Sequence, residues 1–195
     1  MRNHFKMKNK PQIQNRKSLR LKDYDYSQTG FYFVTIVTQD RECLFGEIFD
    51  GEIILNDAGK MIRDIWLQLP IHYNGVKLDL FQVMPSHLHG IIFLTVNNKN
   101  VGIGPCACPD RGQPRGVVPT LSLSDIIHRF KTFSTKKYIE GVKQYNWIRF
   151  NIKLWQRSFY DHVIKNETDL NIIREYIVNN PVRWELDKES PDVNM

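Results

Sequence analysis

The residues best able to do chemistry include two histidines separated by a single residue, within residues 84–90 (MPSHLHG). Residues two apart on a β-strand point to the same face, so His87 and His89 are expected to present their imidazoles side by side. Two imidazoles in that arrangement can form one edge of a divalent-metal site, for Mn²⁺, Zn²⁺ or a related ion rather than Ca²⁺. The alternative is a pair of hydrogen-bonded histidines at a strand end, and the spacing alone does not decide between them.

A second candidate lies near the end of the last predicted helix. Positions i and i+4 share a helix face, so Tyr176 and Asn180 point the same way, on the flank of an apolar stripe made by Leu170, Ile173 and Ile177. A tyrosine phenol can attack phosphorus and form a covalent ester. The amide oxygen of Asn180 could complete a metal site with the two imidazoles. The alternative is a tyrosine packed at the edge of the core and an asparagine that caps the helix.

Other reactive residues give weaker signals. Cys106 and Cys108 lie in a Gly/Pro-rich segment without a second cysteine pair, so a zinc site is not expected there. Asp161 and His162 could support or compete for a metal, although a structural hydrogen bond is the favoured interpretation. The chain has no P-loop, dinucleotide fingerprint or Gly-x-Ser-x-Gly elbow, which argues against nucleotide hydrolysis, hydride transfer and that class of acyl transfer.

Helices and strands that would position these residues follow one another in the order β, hairpin, α, β, β, α, β, α. The first helix is predicted to begin at residues 56–57 and to stop at Pro70, the second to begin at Ser124, and the third to run from Thr168 to Pro181. This order predicts an α+β fold, a ferredoxin-like βαββαβ sandwich with an antiparallel sheet and an extra C-terminal helix. The predicted strands are 31–37, 52–55 after an Asp50-Gly51 turn, 76–84, 87–96 and part of 148–164. The apolar stripes predicted to face the core are Ala58, Met61, Ile62, Ile65, Trp66 and Leu69; Ile126, Ile127, Phe130 and Phe133; and Leu170, Ile173 and Ile177.

Charge and composition narrow the class of protein. The chain has 195 residues and a formal net charge of +6, with basic residues concentrated in 1–22 and, among aromatic residues, in 129–157. No apolar run approaches roughly 18 residues and three cysteines cannot form a closed disulfide set, so we expect neither a membrane span nor a secreted protein but a cytoplasmic one. Cations neutralise phosphates and aromatic rings stack on bases, which favours a nucleic-acid partner. The alternative is a solvated tail and a helix whose aromatic residues fill the core.

The sequence resembles the REP-associated tyrosine transposases, relatives of the insertion-sequence-200-like transposases within the HUH single-tyrosine group. The resemblance covers roughly residues 16–186 and predicts one transposase domain over 23–186, with a basic arm (1–22), a Gly/Pro-rich loop insertion (97–120) and a polar tail (187–195). That loop is longer than a minimal enzyme of this kind needs. The matching stretches are 20–28 (RLKDYDYSQ), 33–46 (FVTIVTQDRECLFG), 84–90 (MPSHLHG), 154–162 (LWQRSFYDH) and 176–184 (YIVNNPVRW).

This resemblance implies an enzyme that binds hairpin-bearing single-stranded DNA and cuts it in a DNA transposition reaction. By position, His87 and His89 are the expected ligands of Mg²⁺ or Mn²⁺, Asn180 the expected third ligand, and Tyr176 the nucleophile that forms a 5′-phosphotyrosine. The enzyme would act as a monomer or a homodimer. The residues expected to hold the DNA are Arg16, Lys17, Arg20, Lys22, Arg129, Lys131, Lys136 and Lys137.

Two other functions stay open at this point. The chain could be a catalytically idle protein that binds hairpin nucleic acid, although the intact histidines and tyrosine argue against it. It could also be a metal-dependent phosphodiesterase that uses water as nucleophile and leaves Tyr176 in a structural role. Formation of a covalent DNA–protein adduct separates the transposase from the phosphodiesterase.

Overall fold

The computed structural model describes residues 24–95 and 121–189, with side chains up to residue 186. The predicted basic arm, the predicted loop insertion and the end of the polar tail therefore lie outside the described residues, as do Cys106 and Cys108. The elements are β1 (Gly30–Val37), β2 (Gly46–Phe49), β3 (Glu52–Leu55), α1 (Asp57–Leu67), α2 (Leu69–His72), β4 (Val76–Met84), β5 (His87–Leu94), α3 (Leu123–Tyr145), β6 (Tyr160–Ile164) and α4 (Glu167–Glu189).

Four strands form one antiparallel sheet in the order β4-β5-β1-β6, and β2 and β3 form a separate hairpin. With α1 between β1 and β4 and α3 between β5 and β6, this is the βαββαβ order of a ferredoxin-like sandwich, and α4 is the extra C-terminal helix. The predicted fold class is confirmed. None of the helices in the described ranges is both long and apolar enough to cross a membrane.

Strand β5 lies at the centre of the sheet and is covered on both faces. Its residues Leu88 and Ile92 pack into the larger core, which α1 and α3 close. Ile91 faces the other way and packs against α4, through the predicted stripe of Leu170, Ile173 and Ile177. Alternation along a strand therefore places His87 and His89 on the α4 side of the sheet, with Ile91.

Gly90, which follows the two histidines, is required by packing on the opposite face. A Cβ atom at this position would lie 2.4 Å from Cζ2 of Trp66, a residue of α1 with no exposed surface. The glycine therefore lets the indole ring approach the backbone of β5 directly behind the histidine pair. This close contact fixes the position of the strand that carries both imidazoles.

The predicted start of the first helix is confirmed and its end is wrong. The side chain of Asn56 accepts a hydrogen bond from the backbone N–H of Gly59 at 2.9 Å and caps α1. The helix ends at Leu67, so Leu69 and Pro70 belong to the separate short helix α2. Pro70 does not terminate a helix but lies in the first turn of α2. Backbone N–H groups in a first turn have no hydrogen-bond partner within the helix, so a proline is tolerated there.

Two details predicted for the second helix are also wrong. The N-cap is Ser122 rather than Ser124, since the Ser122 hydroxyl and the Asp125 carboxylate each accept a hydrogen bond from the other residue's backbone N–H. Phe133 is 43% exposed rather than on the inner face. Ser134 takes the inner position, where its hydroxyl accepts a hydrogen bond from Nε1 of Trp155 at 2.9 Å.

The structure also differs from the prediction in the last strand and the last helix. Within 148–164 only Tyr160–Ile164 forms a strand of the sheet. The last helix starts one residue earlier than predicted, with the side chain of Asn166 accepting from the N–H of Asp169. It also continues through Pro181 to Glu189, so the predicted stop at Pro181 is wrong. The continuation is held by tertiary contacts, such as the hydrogen bond from the N–H of Gly51 to Glu185 at 2.7 Å.

Candidate active site

The two histidines form the centre of the candidate site. They are buried, with 8% and 4% of the surface of His87 and His89 exposed. Their Nε2 atoms lie 3.0 Å apart and their ring centroids 4.5 Å apart. The predicted side-by-side arrangement is therefore present, and the two Nε2 atoms lie within hydrogen-bond distance of each other, as the alternative of hydrogen-bonded histidines also predicts.

Hydroxyl groups hold the other ring nitrogens in place. Oγ1 of Thr35 lies 2.8 Å from Nδ1 of His89, and Oγ of Ser86 lies 3.3 Å from Nδ1 of His87. Thr35 reaches its histidine because the two residues face each other in the pairing of β1 with β5. When Nδ1–H of His89 donates to the hydroxyl, its Nε2 carries the lone pair that a metal ligand needs.

Both imidazoles are neutral near pH 7. The pKa of His87 is lowered to about 4, mainly by burial and also by the nearby positive charge of Arg41, while a hydrogen bond with the Asn180 side chain acts in the opposite direction. Burial lowers the pKa of His89 to about 3, with a smaller contribution from His87. A histidine must be neutral to bind a metal, so the environment keeps both residues in the binding-competent form.

The side chains at this point fit a divalent cation. In an octahedral site with ligands at 2.1 Å, adjacent ligand atoms lie about 3 Å apart, which matches the separation of the two Nε2 atoms. Within the described ranges no third histidine, cysteine or carboxylate joins them. The side chain of Asn180 lies beside the two histidines, since it is buried and forms a hydrogen bond with His87. Two imidazoles and an amide oxygen form a mixed N/O donor set that Mn²⁺ accepts.

Helix α4 brings Tyr176 to the same place. Its ring lies 5.3 Å from the ring of His89 and 6.0 Å from that of Phe33, edge to face in both cases. Asn180 follows one helical turn later, on the same side. The four residues predicted from spacing and resemblance to do chemistry therefore lie together, on the α4 face of the sheet.

Sequence analysis missed four residues around this cluster. Besides Thr35, they are Trp184, whose ring lies 5.2 Å from that of His87, Arg41, and Arg183, whose guanidinium carbon lies 5.9 Å from the ring centre of Tyr176. A polar residue in the otherwise apolar alternation of β1 was the available signal for Thr35. For Arg183 and Trp184, the signal was their spacing of seven and eight residues from Tyr176 along a helix that Pro181 was expected to end.

The predicted DNA-binding residues that the structure describes, Arg129, Lys131, Lys136 and Lys137, do not join this cluster. Arg16, Lys17, Arg20 and Lys22 lie outside the described residues. The other four predicted residues lie on α3, and this helix packs on the opposite face of the sheet.

The four residues on α3 differ in what they contact. Lys136 is exposed, and the guanidinium of Arg129 lies over the ring of Tyr73. Nζ of Lys131 donates to two backbone carbonyl oxygens, and Lys137 forms an ion pair with Glu140.

The Asp161-His162 pair does not approach the two histidines of β5. Nε2 of His162 lies 3.0 Å from the carboxylate of Asp169, at the start of α4. This contact is the structural hydrogen bond that sequence analysis favoured. It joins β6 to the helix that carries Tyr176.

Comparisons with known proteins found relatives of this chain. No protein-family model matches the chain. An uncharacterized protein of Haemophilus influenzae is 37% identical over 184 residues, which cover 90% of this chain and 93% of the relative. A second protein of the same organism, named "Putative REP-associated tyrosine transposase", is 26% identical over 162 residues, or 82% of this chain and 74% of the relative. The chain is therefore similar in sequence, at modest identity, to a protein named as a REP-associated tyrosine transposase.

The fold agrees with that similarity. A solved structure described as a REP-associated tyrosine transposase bound to a REP hairpin has a TM-score of 0.54 to this chain, at 18% identity. The match covers 85% of this chain and 73% of the other. At this identity the likeness shows a shared fold, and the sequence similarity to a protein named as a REP-associated tyrosine transposase supports a transposase-like role.

Proposed function

We propose that this protein is a transposase that binds hairpin-bearing single-stranded DNA and cleaves and rejoins it through a covalent 5′-phosphotyrosine on Tyr176. In this proposal His87, His89 and Asn180 hold Mg²⁺ or Mn²⁺. The observation that carries the proposal is the convergence of two neutral imidazole nitrogens, an amide and a tyrosine at one point. Neither a water-using phosphodiesterase nor an idle binder requires a tyrosine at that position.

The chemistry divides between the cation and the protein. When bound, the cation polarises the scissile phosphate and stabilises the charge that develops on it. The phenol oxygen of Tyr176 attacks the phosphorus, the bond from phosphorus to the 3′-oxygen breaks, and water accepts the phenol proton and supplies one to the 3′-oxygen. An ester bond replaces an ester bond, so a free 3′-hydroxyl can reverse the reaction without ATP.

The other residues of the site orient these groups. The hydroxyl of Thr35 fixes the ring of His89, and helix α4 fixes Tyr176 and Asn180 one turn apart. Edge-to-face contacts with His89 and Phe33 hold the phenol ring beside the imidazoles. Holding the nucleophile beside the metal ligands removes part of the entropic barrier to the attack.

The hairpin is proposed to bind the basic surface of α3, away from the tyrosine. Exposed cations on this helix can neutralise phosphates of a duplex stem. Support comes from a protein of similar fold that is described as bound to a REP hairpin. Single-stranded DNA beside the stem would then pass to the α4 face, where the histidines and Tyr176 lie.

One experiment tests the proposed chemistry. The purified protein is incubated with Mn²⁺ and labelled hairpin-bearing single-stranded DNA, and the products are separated on a denaturing gel. We expect a DNA–protein adduct with the wild type and none with Tyr176→Phe, while DNA binding is retained. Tyr160→Phe is the matched control, because Tyr160 is half-exposed and pairs with Thr35 across the same face of the sheet. It should form the adduct normally.

The two other candidate functions predict different gels. Cleavage without an adduct, equal in the wild type and Tyr176→Phe, would identify a phosphodiesterase that uses water. Binding with neither cleavage nor adduct, over a panel of hairpins, would identify an idle binder. Loss of the adduct in Tyr160→Phe alone would show that the nucleophile is Tyr160 on β6 and not Tyr176 on α4.

A further inference from the structure

Two arginines to which sequence analysis gave no role lie beside the candidate active site. Arg41 follows β1 and acts electrostatically on His87. Arg183 lies two turns beyond Tyr176 on α4, and its guanidinium carbon is 5.9 Å from the centre of the phenol ring. One cation therefore adjoins the histidine side of the site and the other adjoins the tyrosine side.

The turn that carries Arg41 is strained and firmly held. Asp40 and Arg41 both adopt left-handed backbone angles, with φ of 55° and 57°, which are unfavourable for residues with side chains. Thr38 anchors the turn, since its N–H and its hydroxyl each lie 2.9 Å from the backbone oxygen of Ser86, the residue before His87. Strain that surrounding contacts maintain is a recurrent property of functional sites.

Neither arginine is neutralised by a carboxylate within the described part of the chain. Arg63 and Arg174, in contrast, form ion pairs with Asp64 and Asp79. Arg41 is exposed, and Arg183 is exposed beside the tyrosine ring. Both guanidinium groups can therefore contact an anionic ligand without breaking an ion pair.

We propose that Arg41 and Arg183 are phosphate-binding residues that hold a single DNA strand across the site, one on each side of the scissile bond. The planar guanidinium donates two parallel hydrogen bonds to phosphate oxygens and keeps its charge at every relevant pH. Two such anchors fix the direction of the strand relative to Tyr176. This inference rests on the proposed function, because it assumes that single-stranded DNA is the substrate.

Salt dependence of DNA binding tests the inference separately from the chemistry. Affinity for a fluorescein-labelled, hairpin-bearing single-stranded DNA is measured by anisotropy at several salt concentrations, without divalent cations, for Arg41→Gln, Arg183→Gln and the double variant. Each phosphate contact contributes about 0.7 to the slope of log affinity against log salt for a single strand. We expect each single variant to reduce the slope by about that amount and the double variant by about twice as much.

Arg63→Gln is the control, since it removes the same charge from α1, on the opposite face of the sheet. It should leave the slope unchanged. A purely structural role for Arg41 or Arg183 would alter the melting temperature but not the slope. Unchanged slopes in both single variants, with adduct formation intact in the wild type, would overturn this inference and leave the proposed function standing. Reduced slopes in the variants, without an adduct in the wild type, would support this inference and contradict the proposed function.

Discussion

At the scale of single residues, the hydroxyl of Thr35 is the contact most open to a clean test. Substitution Thr35→Val keeps the shape of the side chain and removes the group that contacts Nδ1 of His89. Partners of this kind typically change metal affinity about 10- to 100-fold, because they fix the orientation and tautomer of the ligand. We expect Mn²⁺ affinity, measured by isothermal titration calorimetry, to fall by about that factor.

Thr35→Ser provides the matched control, as it retains the hydroxyl group and loses only a methyl group. It should bind Mn²⁺ nearly as well as the wild type. Equal loss in the serine and valine variants would show that packing, not the hydrogen bond, supports His89. Wild-type affinity in both variants would contradict the role assigned to the hydroxyl.

Residue spacing predicted the centre of the site but not its surroundings. Strand and helix periods paired His87 with His89 and Tyr176 with Asn180, and the family resemblance assigned the two pairs to one site. Thr35 could not be assigned to that site, because its contact with His89 depends on the register of two strands, and a single sequence does not contain that register.

At the scale of elements, the position of α4 determines where Tyr176 lies. An ion pair joins this helix to β4: Nε of Arg174 donates to Oδ1 of Asp79 at 2.9 Å, and a second bond joins Nη2 to Oδ2. Asp79 lies between Leu78 and Phe81, where the pairing of β4 with β5 shifts register. The pair therefore fixes α4 two residues before the proposed nucleophile.

Stability should depend on this pair in a pH-dependent way. The Arg174 guanidinium holds the pKa of Asp79 below its ordinary value, so the contribution is present above the unfolded pKa of about 4 and is lost as pH falls through the lower, folded pKa. We expect Asp79→Asn to lower the free energy of unfolding at pH 7 by about 0.5–1 kcal/mol, since the pair is partly exposed.

Urea denaturation at neutral and acidic pH measures this effect. The difference between Asp79→Asn and the wild type should shrink as pH falls below about 4. Asp57→Asn is the control, because it breaks a more exposed pair with Lys60 and should change stability less. A difference for Asp79→Asn that stays constant with pH would show that charge is not its cause.

Capping residues and prolines in the sequence located most helix ends, but they failed where tertiary contacts determine the end of a helix. Asn56 capped α1 as predicted, because its side chain bonds to a neighbour three residues away. Pro181 was expected to end the last helix, since the preceding residue usually avoids the helical region. The helix continues because Glu185 and Trp184 find partners on the β2–β3 turn and on His87, which are distant in sequence.

At the scale of the whole molecule, the sheet separates two faces with different contacts. The α4 face carries the histidines, Tyr176, Arg41 and Arg183, whereas α1 and α3 cover the other face. The predicted order of helices and strands, with an apolar stripe on each helix, indicated this layered arrangement. It could not assign the basic residues of 129–157 to one face or the other, since exposed cations follow no hydrophobic period.

The separation of faces predicts that binding and chemistry can be uncoupled. The double variant Arg129→Gln with Lys136→Gln removes two exposed cations from α3. We expect it to raise the DNA concentration needed for half-maximal adduct formation several-fold, because each lost phosphate contact weakens binding. The adduct-formation rate at saturating DNA should stay at the wild-type value, because neither residue lies on the face that carries Tyr176.

Adduct yield against DNA concentration, at fixed Mn²⁺, measures both quantities. Arg41→Gln provides the contrasting variant, since a residue that holds the strand beside Tyr176 should lower the rate at saturation as well as the affinity. If the α3 double variant also lost rate at saturation, the two faces would be coupled and α3 would help to place the scissile bond. If the double variant changed neither quantity, the hairpin would bind a different surface from the one proposed.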